Sequence, residues 1–156
     1  MSEAQQPKIT IKHVSKIFGK NTKLAIQQLQ KGATKQEILE KTGKHVGVYD
    51  ANLEIYPGEI FVIMGLSGSG KSTLIRMLNL LIRPITGDVI IDDTNITKLD
   101  KKALREVRKS KMAMVFQSFA LLPHLSVIDN VAFGLNIADA PKDEAKENNN
   151  KLEETV

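Results

Sequence analysis

The sequence predicts an α/β fold. Two features of the chain lead to this prediction. Residues 8–18 (KITIKHVSKIF) alternate apolar and polar side chains, which is typical of a half-buried strand. Further along, the glycine-rich stretch GLSGSGKST at 65–73 stands between an apolar run and a helical pattern. This order of strand, loop and helix indicates an α/β core.

The composition places the chain among globular proteins. Its 156 residues are 42% apolar and 26% charged, which suits one domain with a sizeable core. Cysteine is absent, which excludes disulfides, thiolate metal sites and a cysteine nucleophile and fits a reducing cytosol. The N-terminal MSEAQQPK has no apolar segment of the kind that a secretion signal needs, and no window approaches the roughly 18 apolar residues of a membrane span. We therefore expect other chains to supply any membrane span.

The positive charge of the chain does not indicate nucleic acid as a partner. The net charge is +4, but residues 139–156 hold six acids and three lysines, so the remainder is 19 basic minus 12 acidic, or +7. The basic residues are scattered and are not interleaved with aromatic residues, which favours a solvated basic surface. The stretch 139–156 also has few apolar residues, and we expect a disordered tail there.

Strands and helices alternate along the rest of the chain. The residues at 23–44 are helix formers broken at Gly32, and Thr34 with Glu37 three residues later indicates a capping box, so this part reads as two short helices. Further strands are predicted at 46–55, 59–64, 88–91 and 112–116, of which 59–64 and 112–116 are apolar and suit buried positions. Further helices are predicted at 72–82 and 101–109, and in the segment VIDNVAFGL after Ser126.

The spacing of Gly65, Gly70, Lys71 and Ser72 matches the phosphate-loop pattern GxxxxGK followed by Ser or Thr. The glycines allow the backbone to wrap closely round phosphates, and the N–H groups of the loop and of the helix N-terminus converge on the β-phosphate. Lys71 can reach the β- and γ-phosphate oxygens, and the Ser72 hydroxyl can ligate Mg²⁺. The alternative, an ordinary glycine-rich turn, is disfavoured because the motif stands between a predicted buried strand and a predicted helix, as phosphate binding requires.

The run VIIDD at 89–93 resembles an apolar strand that ends in a magnesium-binding aspartate. It follows the phosphate-loop helix too closely, after the turn at 85–88, and the polar DDTNITKLD follows it. We interpret it as an edge hairpin, so neither Asp92 nor Asp93 is assigned to a metal.

Three stretches together, VSKIFG, GLSGSGKST and MVFQSFALLPHLSVIDNVAFG, resemble the ATP-binding subunits of ABC transporters. The helical piece QLQKGATKQEILEKTG and the following GVYDANLEIYPGEIFVIMGLSGSGKSTLIRMLN are similar to the quaternary-amine branch, the glycine betaine and proline uptake ATPases. The resemblance covers about residues 8–138. It implies a partial P-loop NTPase of the ABC-ATPase type, truncated, with a RecA-like core and an N-terminal antiparallel β subdomain.

The resemblance also assigns site residues for ATP and Mg²⁺. Phe18 falls where the family stacks an aromatic side chain on adenine, whereas the pattern alone favours a core residue, since an aromatic side chain at a strand end is more often buried. Gln117 falls where the family has a glutamine that contacts Mg²⁺ and senses the γ-phosphate, and otherwise reads as a polar residue ending a strand. Ser72 and Gln117 are the implied magnesium ligands. The implied nucleotide-binding residues are Phe18, Gly65, Leu66, Ser67, Gly68, Ser69, Gly70, Lys71, Ser72, Thr73 and Gln117.

The resemblance implies two protein partners at the cytoplasmic face of the plasma membrane, where the subunit would be peripheral. One is a transmembrane permease, which the family contacts near FALLPHLSV and hence near Phe119, Leu121 and Leu122. The other is a second nucleotide-binding subunit. His124 has no second histidine at ligand spacing and is interpreted as structural or interfacial.

Several parts of a complete ABC ATPase are missing from these 156 residues. There is no LSGGQ-type signature, no apolar strand ending in Asp followed by a catalytic Glu, and no switch histidine, so no catalytic residue is assigned. We expect an incomplete nucleotide-binding domain over 1–138, with a helical insert at about 23–44, as in the amino-terminal portion of a family member ended early.

The predicted function is MgATP binding within an importer for glycine betaine or proline-type solutes, whose complete protein couples ATP hydrolysis to uptake. The alternative is a non-hydrolysing remnant or regulatory module. A GTPase is disfavoured because the guanine-reading sequence Asn-Lys-x-Asp is absent, and a kinase because of the region around Gln117. In importers of this kind, the separate substrate-binding and membrane subunits determine which solute is transported.

Overall fold

The computed structural model describes residues 5–116 and 121–137, which fall into two compact units divided after Asp100. The first unit contains an antiparallel sheet, a helical insert and the glycine-rich loop with its helix. The second contains two helices. No helix in the described ranges is long and apolar enough to cross a membrane.

The sheet of the first unit is antiparallel throughout, with its strands in the spatial order β2-β1-β3-β4. Its strands are β1 (Ile9–Phe18), β2 (His45–Ile55), β3 (Thr86–Ile91) and β4 (Thr94–Asn95). Strand β1 is central because it pairs with both β2 and β3, so that Ile9 stands opposite Ile55 on one side and Ile91 on the other. The predicted N-terminal sheet is confirmed, and the predicted hairpin at its edge is β3 with β4.

Two short helices lie between β1 and β2 and cover one end of the sheet. They are α1 (Lys23–Gln30) and α2 (Lys35–Thr42). Helix α2 begins with the predicted capping box, since the Thr34 hydroxyl accepts from the Glu37 N–H and the Glu37 carboxylate accepts from the Thr34 N–H. The insert and the sheet share a buried apolar cluster of Ile17, Ala25, Leu29, Ile38 and Val46. Burial of this cluster attaches the insert to the ends of β1 and β2.

The predicted buried strand at 59–64 is wrong. The segment has no strand assignment, and its side chains are largely exposed, with Ile60 at 89% and Met64 at 84%. In a buried strand, the backbone N–H and C=O groups must form hydrogen bonds with neighbouring strands. Within the described residues, no strand pairs with this segment, so its apolar composition alone does not make it a strand.

Helix α3 (Lys71–Leu78) follows the glycine-rich loop and is shorter than the predicted 72–82. It ends early because Leu80 adopts a positive φ of 54°, which a right-handed helix cannot accommodate. The chain then turns, with the Ile82 N–H bonded to the Arg76 carbonyl oxygen, and enters β3. After β4, a 3₁₀ turn at Ile96–Lys98 buries Ile96.

The second unit contains α4 (Lys101–Lys111) and α5 (Val127–Ile137). Both predicted helices are confirmed, and Ser126 caps α5 by accepting from the Asp129 N–H. The strand predicted at 112–116 is wrong for the same reason as the one at 59–64, because no described strand pairs with it and Val115 is 96% exposed. Gln117 and the predicted tail at 139–156 lie outside the described residues.

Candidate nucleotide-binding site

The loop at 65–70 turns the chain sharply into α3. The Ser69 N–H donates to the Leu66 carbonyl oxygen at 3.2 Å, and the Leu74 N–H donates to the Gly70 carbonyl oxygen at 2.9 Å. Helix α3 therefore starts directly after Gly70, which is its N-cap. The first N–H groups of a helix lack partners within the helix and favour an anion. The predicted order of loop and helix is thus present, although the strand that should precede it is not.

Lys71 folds back over the loop. Its Nζ donates to the carbonyl oxygens of Gly65 and Leu66, each at 2.7 Å. Among the described residues, Lys71 has no carboxylate partner, so its positive charge is not neutralised within the fold. A cation held at the loop in this way suits the binding of phosphate oxygens.

Gly70 packs directly against Gly47 of β2. A Cβ atom at position 70 would collide with the Gly47 carbonyl oxygen, and Gly70 has a positive φ of 105°. Both conditions require glycine. This contact holds the loop against the sheet, and only α3 and β2 together create it.

Phe18 reaches the same part of β2 from the end of β1. A Cβ atom built at position 47 would lie 2.8 Å from Phe18 Cε2 and 3.1 Å from Thr73 Cγ2. The aromatic ring and the first turn of α3 therefore both contact the surface of Gly47. Phe18 is 38% exposed, so it is not a core residue. The structure thus brings Phe18, predicted to stack on adenine, close to the phosphate loop.

Two neighbours hold the Phe18 ring in place. Lys16 Nζ lies over the ring, 5.6 Å from its centroid, and donates to the Arg83 carbonyl oxygen at 2.9 Å. The His45 ring lies at a centroid distance of 6.3 Å and an interplanar angle of 32°. A fixed, partly exposed aromatic ring can stack a base without ordering itself on binding.

Two residues of this site were missed by the sequence analysis, Gly47 and Lys35. Gly47 has a detectable signal, since a glycine inside a strand pattern often marks a close approach of another backbone. Lys35 Nζ donates to the carbonyl oxygens of Gly47 at 3.2 Å and of Ser69 at 3.4 Å. No pattern in the sequence connects the insert with the loop.

Of the two proposed magnesium ligands, only Ser72 lies within the described residues. Ser72 lies exposed in the first turn of α3, next to Lys71, where its hydroxyl fits a metal held by phosphates. Gln117 is outside the described residues. In the described ranges, no three His, Cys, Asp or Glu residues group together as a metal site, and His124 belongs to no such group.

Asp92, at the β3–β4 turn, contacts the residue before β1, the strand next to β3. Asp92 forms an ion pair with Lys8, which directly precedes β1, at 2.6 Å between Oδ1 and Nζ. The interpretation of VIIDD as an edge hairpin is therefore confirmed.

These features together define an α/β protein with a phosphate-loop motif and an exposed aromatic ring beside it. A family model described as "ABC transporter" matches residues 48–156. The chain belongs to the ABC transporter family.

Two similar proteins belong to one group within this family. The glycine betaine transport ATP-binding protein OpuAA of Bacillus subtilis is 55% identical over 148 residues, which is 94% of this chain and 35% of OpuAA. The glycine betaine/proline betaine transport system ATP-binding protein ProV of Salmonella typhimurium is 54% identical over 140 residues, or 90% of this chain and 35% of ProV. The chain thus spans about a third of the length of these relatives.

Solved structures agree on the fold. A post-hydrolysis dimer of the ATP-binding cassette MJ0796, bound to ADP and Pi, superposes with a TM-score of 0.71 at 27% identity, covering 92% of this chain and 54% of the cassette. A second dimeric structure of MJ0796 gives a TM-score of 0.66 at 31% identity, covering 83% of this chain and 47% of that one. The predicted fold class, part of an ABC-type ATPase cassette, is confirmed.

Proposed function

We propose that this chain binds MgATP, with the phosphates in the loop at 65–73 and the adenine on Phe18. The observation that supports this most directly is the contact of Gly47 with both parts of the site: Phe18 and Thr73 lie against the same face of Gly47, and Gly70 lies against its carbonyl oxygen. Base and phosphate sites must stand a nucleotide's length apart on one surface. Phe18, at the end of β1, and the loop, at the start of α3, both lie beside β2 in the first unit, which supports this proposal.

Each proposed role follows from the chemistry of the group. The N–H groups of Gly68, Ser69 and Gly70 and of the first turn of α3 are proposed to bind the phosphates, and Lys71 to move from the loop carbonyls to the β- and γ-phosphate oxygens. Ser72 is proposed as a magnesium ligand, with Gln117 as the second. Magnesium neutralises phosphate charge when bound.

We further propose that the chain is part of the ATP-binding subunit of an importer for glycine betaine or proline-type solutes. The support is the identity of 54 to 55% with OpuAA and ProV, which includes the helical insert. The same relationship supports a transmembrane permease and a second nucleotide-binding subunit as partners, at the cytoplasmic face of the membrane. Leu121, one of the residues of the proposed permease contact, is exposed, and Phe119 lies outside the described residues.

The nucleotide proposal is tested with Lys71→Ala. Charge-assisted contacts of this kind contribute about 1.5 to 3 kcal/mol, so MgATP affinity is expected to fall about ten- to a hundredfold. Isothermal titration calorimetry of parent and variant measures the change. Lys41→Ala is the control, because it removes the same charge from the insert, and Lys41 has no hydrogen bond to the loop among the described residues. Equal affinity of Lys71→Ala and parent, with both folded, would refute the proposal.

We also propose that the 156-residue chain alone does not hydrolyse ATP, although its family is one of ATPases. The printed sequence has no carboxylate at the catalytic position after an apolar strand and no signature loop. General-base assistance of about 10²- to 10⁴-fold and the opposing donors to the γ-phosphate are therefore missing. Phosphate release measured on the sample used for titration distinguishes a binding module from an active ATPase. Turnover that depends on Lys71 would contradict this proposal.

A further inference from the structure

Lys35, a basic residue of the helical insert, contacts the phosphate loop. Lys35 is the first residue of α2, directly after the capping residue Thr34. Its Nζ bridges two backbone carbonyl oxygens on different elements, Gly47 of β2 at 3.2 Å and Ser69 of the loop at 3.4 Å. An ion-pair partner is not found for it among the described residues.

No carboxylate among the described residues therefore pairs with the Lys35 ammonium at the site. The ammonium has three N–H donors, and the described structure uses two of them on neutral carbonyl groups. Lysine is a mobile point charge on a flexible stem, and Lys35 is exposed, so a small rotation can redirect the ammonium. Together, Lys35 and Lys71 place two unneutralised cations on one loop.

The two cations lie at different parts of the loop. Lys71 bonds to its beginning, at Gly65 and Leu66, whereas Lys35 bonds to its end, at Ser69. Lys35 also contacts Gly47, the residue that touches the Phe18 ring. If the base of a nucleotide stacks on Phe18 and its terminal phosphates bind Lys71, the phosphate attached to the sugar would lie near Lys35.

We propose that Lys35 is a nucleotide-binding residue supplied by the helical insert, and that it contacts the phosphate chain at its sugar-proximal end. This inference rests on the proposed nucleotide binding. It gives the insert a direct role at the site, because the start of α2, fixed by the Thr34–Glu37 capping box, positions the Lys35 backbone. Lys35 acts here in binding and not in the chemical step.

The test is Lys35→Gln, which removes the charge while an amide can still donate to the two carbonyl oxygens. We expect the affinity of the 156-residue chain for ATP and for ADP to fall by the same factor, about three- to tenfold, because both nucleotides carry the sugar-proximal phosphate. Lys35→Arg is expected to stay within about twofold of the parent, and Lys35→Glu to lose more than Lys35→Gln. Lys41→Gln, which discharges the other end of α2, is the matched control and is expected to bind like the parent.

Calorimetric titrations and melting temperatures without nucleotide complete the experiment. A parent that binds neither nucleotide refutes the proposed function and this inference with it. A parent that binds both, weakened by Lys71→Ala but not by Lys35→Gln, refutes the inference alone. A loss confined to ATP overturns it too, since it would place Lys35 at the γ-phosphate. A loss of affinity of similar size in Lys35→Arg would also overturn the inference. So would a loss of affinity that accompanies lower melting temperatures in both Lys35→Gln and Lys35→Glu. Either result would show that Lys35 is a structural contact.

Discussion

The backbone of Gly70, at the start of α3, lies against the carbonyl oxygen of Gly47 on β2, with no room for a side chain between them. This contact joins the phosphate loop to the sheet. It also explains why the glycine before Lys71 is required by packing as well as by the loop's backbone conformation.

Gly70→Ala is expected to abolish measurable MgATP binding and to lower the free energy of unfolding by about 1 to 3 kcal/mol, since the methyl group meets backbone and the positive φ adds strain. Denaturant unfolding and calorimetry measure the two effects. Gly134→Ala is the control, because a Cβ at position 134 in α5 meets nothing within 4 Å. That change should be neutral or slightly stabilising. A Gly70→Ala variant that binds like the parent would contradict the role given to this contact.

Phe18→Ala is expected to weaken ATP and GTP binding alike, by about 1 to 3 kcal/mol, because stacking uses the face of a base and does not read its edges. Phe18→Tyr should retain binding. Competition titrations with both nucleotides measure the effect, and thermal melting shows whether the variants fold. If Phe18→Ala unfolds and Phe18→Tyr also binds poorly, the side chain is structural and does not stack on the base.

The Asp88 carboxylate predicts a pH dependence of stability. Hydrogen bonds from Asn95 and Thr97, at 2.8 and 3.1 Å, and the nearby charges of Lys98 and Lys12 hold the pKa of Asp88 below its usual 3.8, with the Asn95 bond the largest cause. A lowered pKa in the folded state adds stability above the unfolded-state pKa, and this stability is lost as the pH falls through the folded-state pKa.

Asp88→Asn should therefore unfold more easily than the parent at pH 7, by about 1 kcal/mol given the exposure of the group, and the difference should shrink below pH 3.8. Urea unfolding from pH 7 downwards measures it. Asp93→Asn is the control, since Asp93 is exposed and has no hydrogen bond or ion pair within the described structure. A constant difference between Asp88→Asn and parent at all pH values would contradict the prediction.

The exposed apolar segment at 59–64 is expected to cause self-association of the 156-residue chain. Ile60 and Val62 are exposed and lie in a segment that pairs with no described strand. Ile60→Lys combined with Val62→Lys should reduce the associated fraction in sedimentation velocity, whereas Leu24→Lys, at an exposed position of α1, should change it less. Equal association of all three proteins would show that other surfaces are responsible.

Local sequence determined those parts of the protein that depend on a few neighbouring residues. The capping box of Thr34 and Glu37 and the Ser126 cap each produce the predicted helix start, because their hydrogen bonds lie within one helical turn. The phosphate loop is determined in the same way by its glycine spacing. The pattern at 8–18 predicts the strand but not its burial: Thr10 and Ile11 are both buried, as are Val14 and Ser15, because register shifts interrupt the pairing of β1 with β2.

Tertiary structure decided which apolar runs become strands and which distant residues meet. The apolar runs at 59–64 and 112–116 are not strands in the described structure, because a strand requires neighbours that its own residues do not specify. The meeting of Phe18, Gly47 and Gly70, and the reach of Lys35 to Ser69, require β1, β2, α2 and α3 to pack together. These contacts join positions far apart in the chain, so no pattern in the sequence contains them.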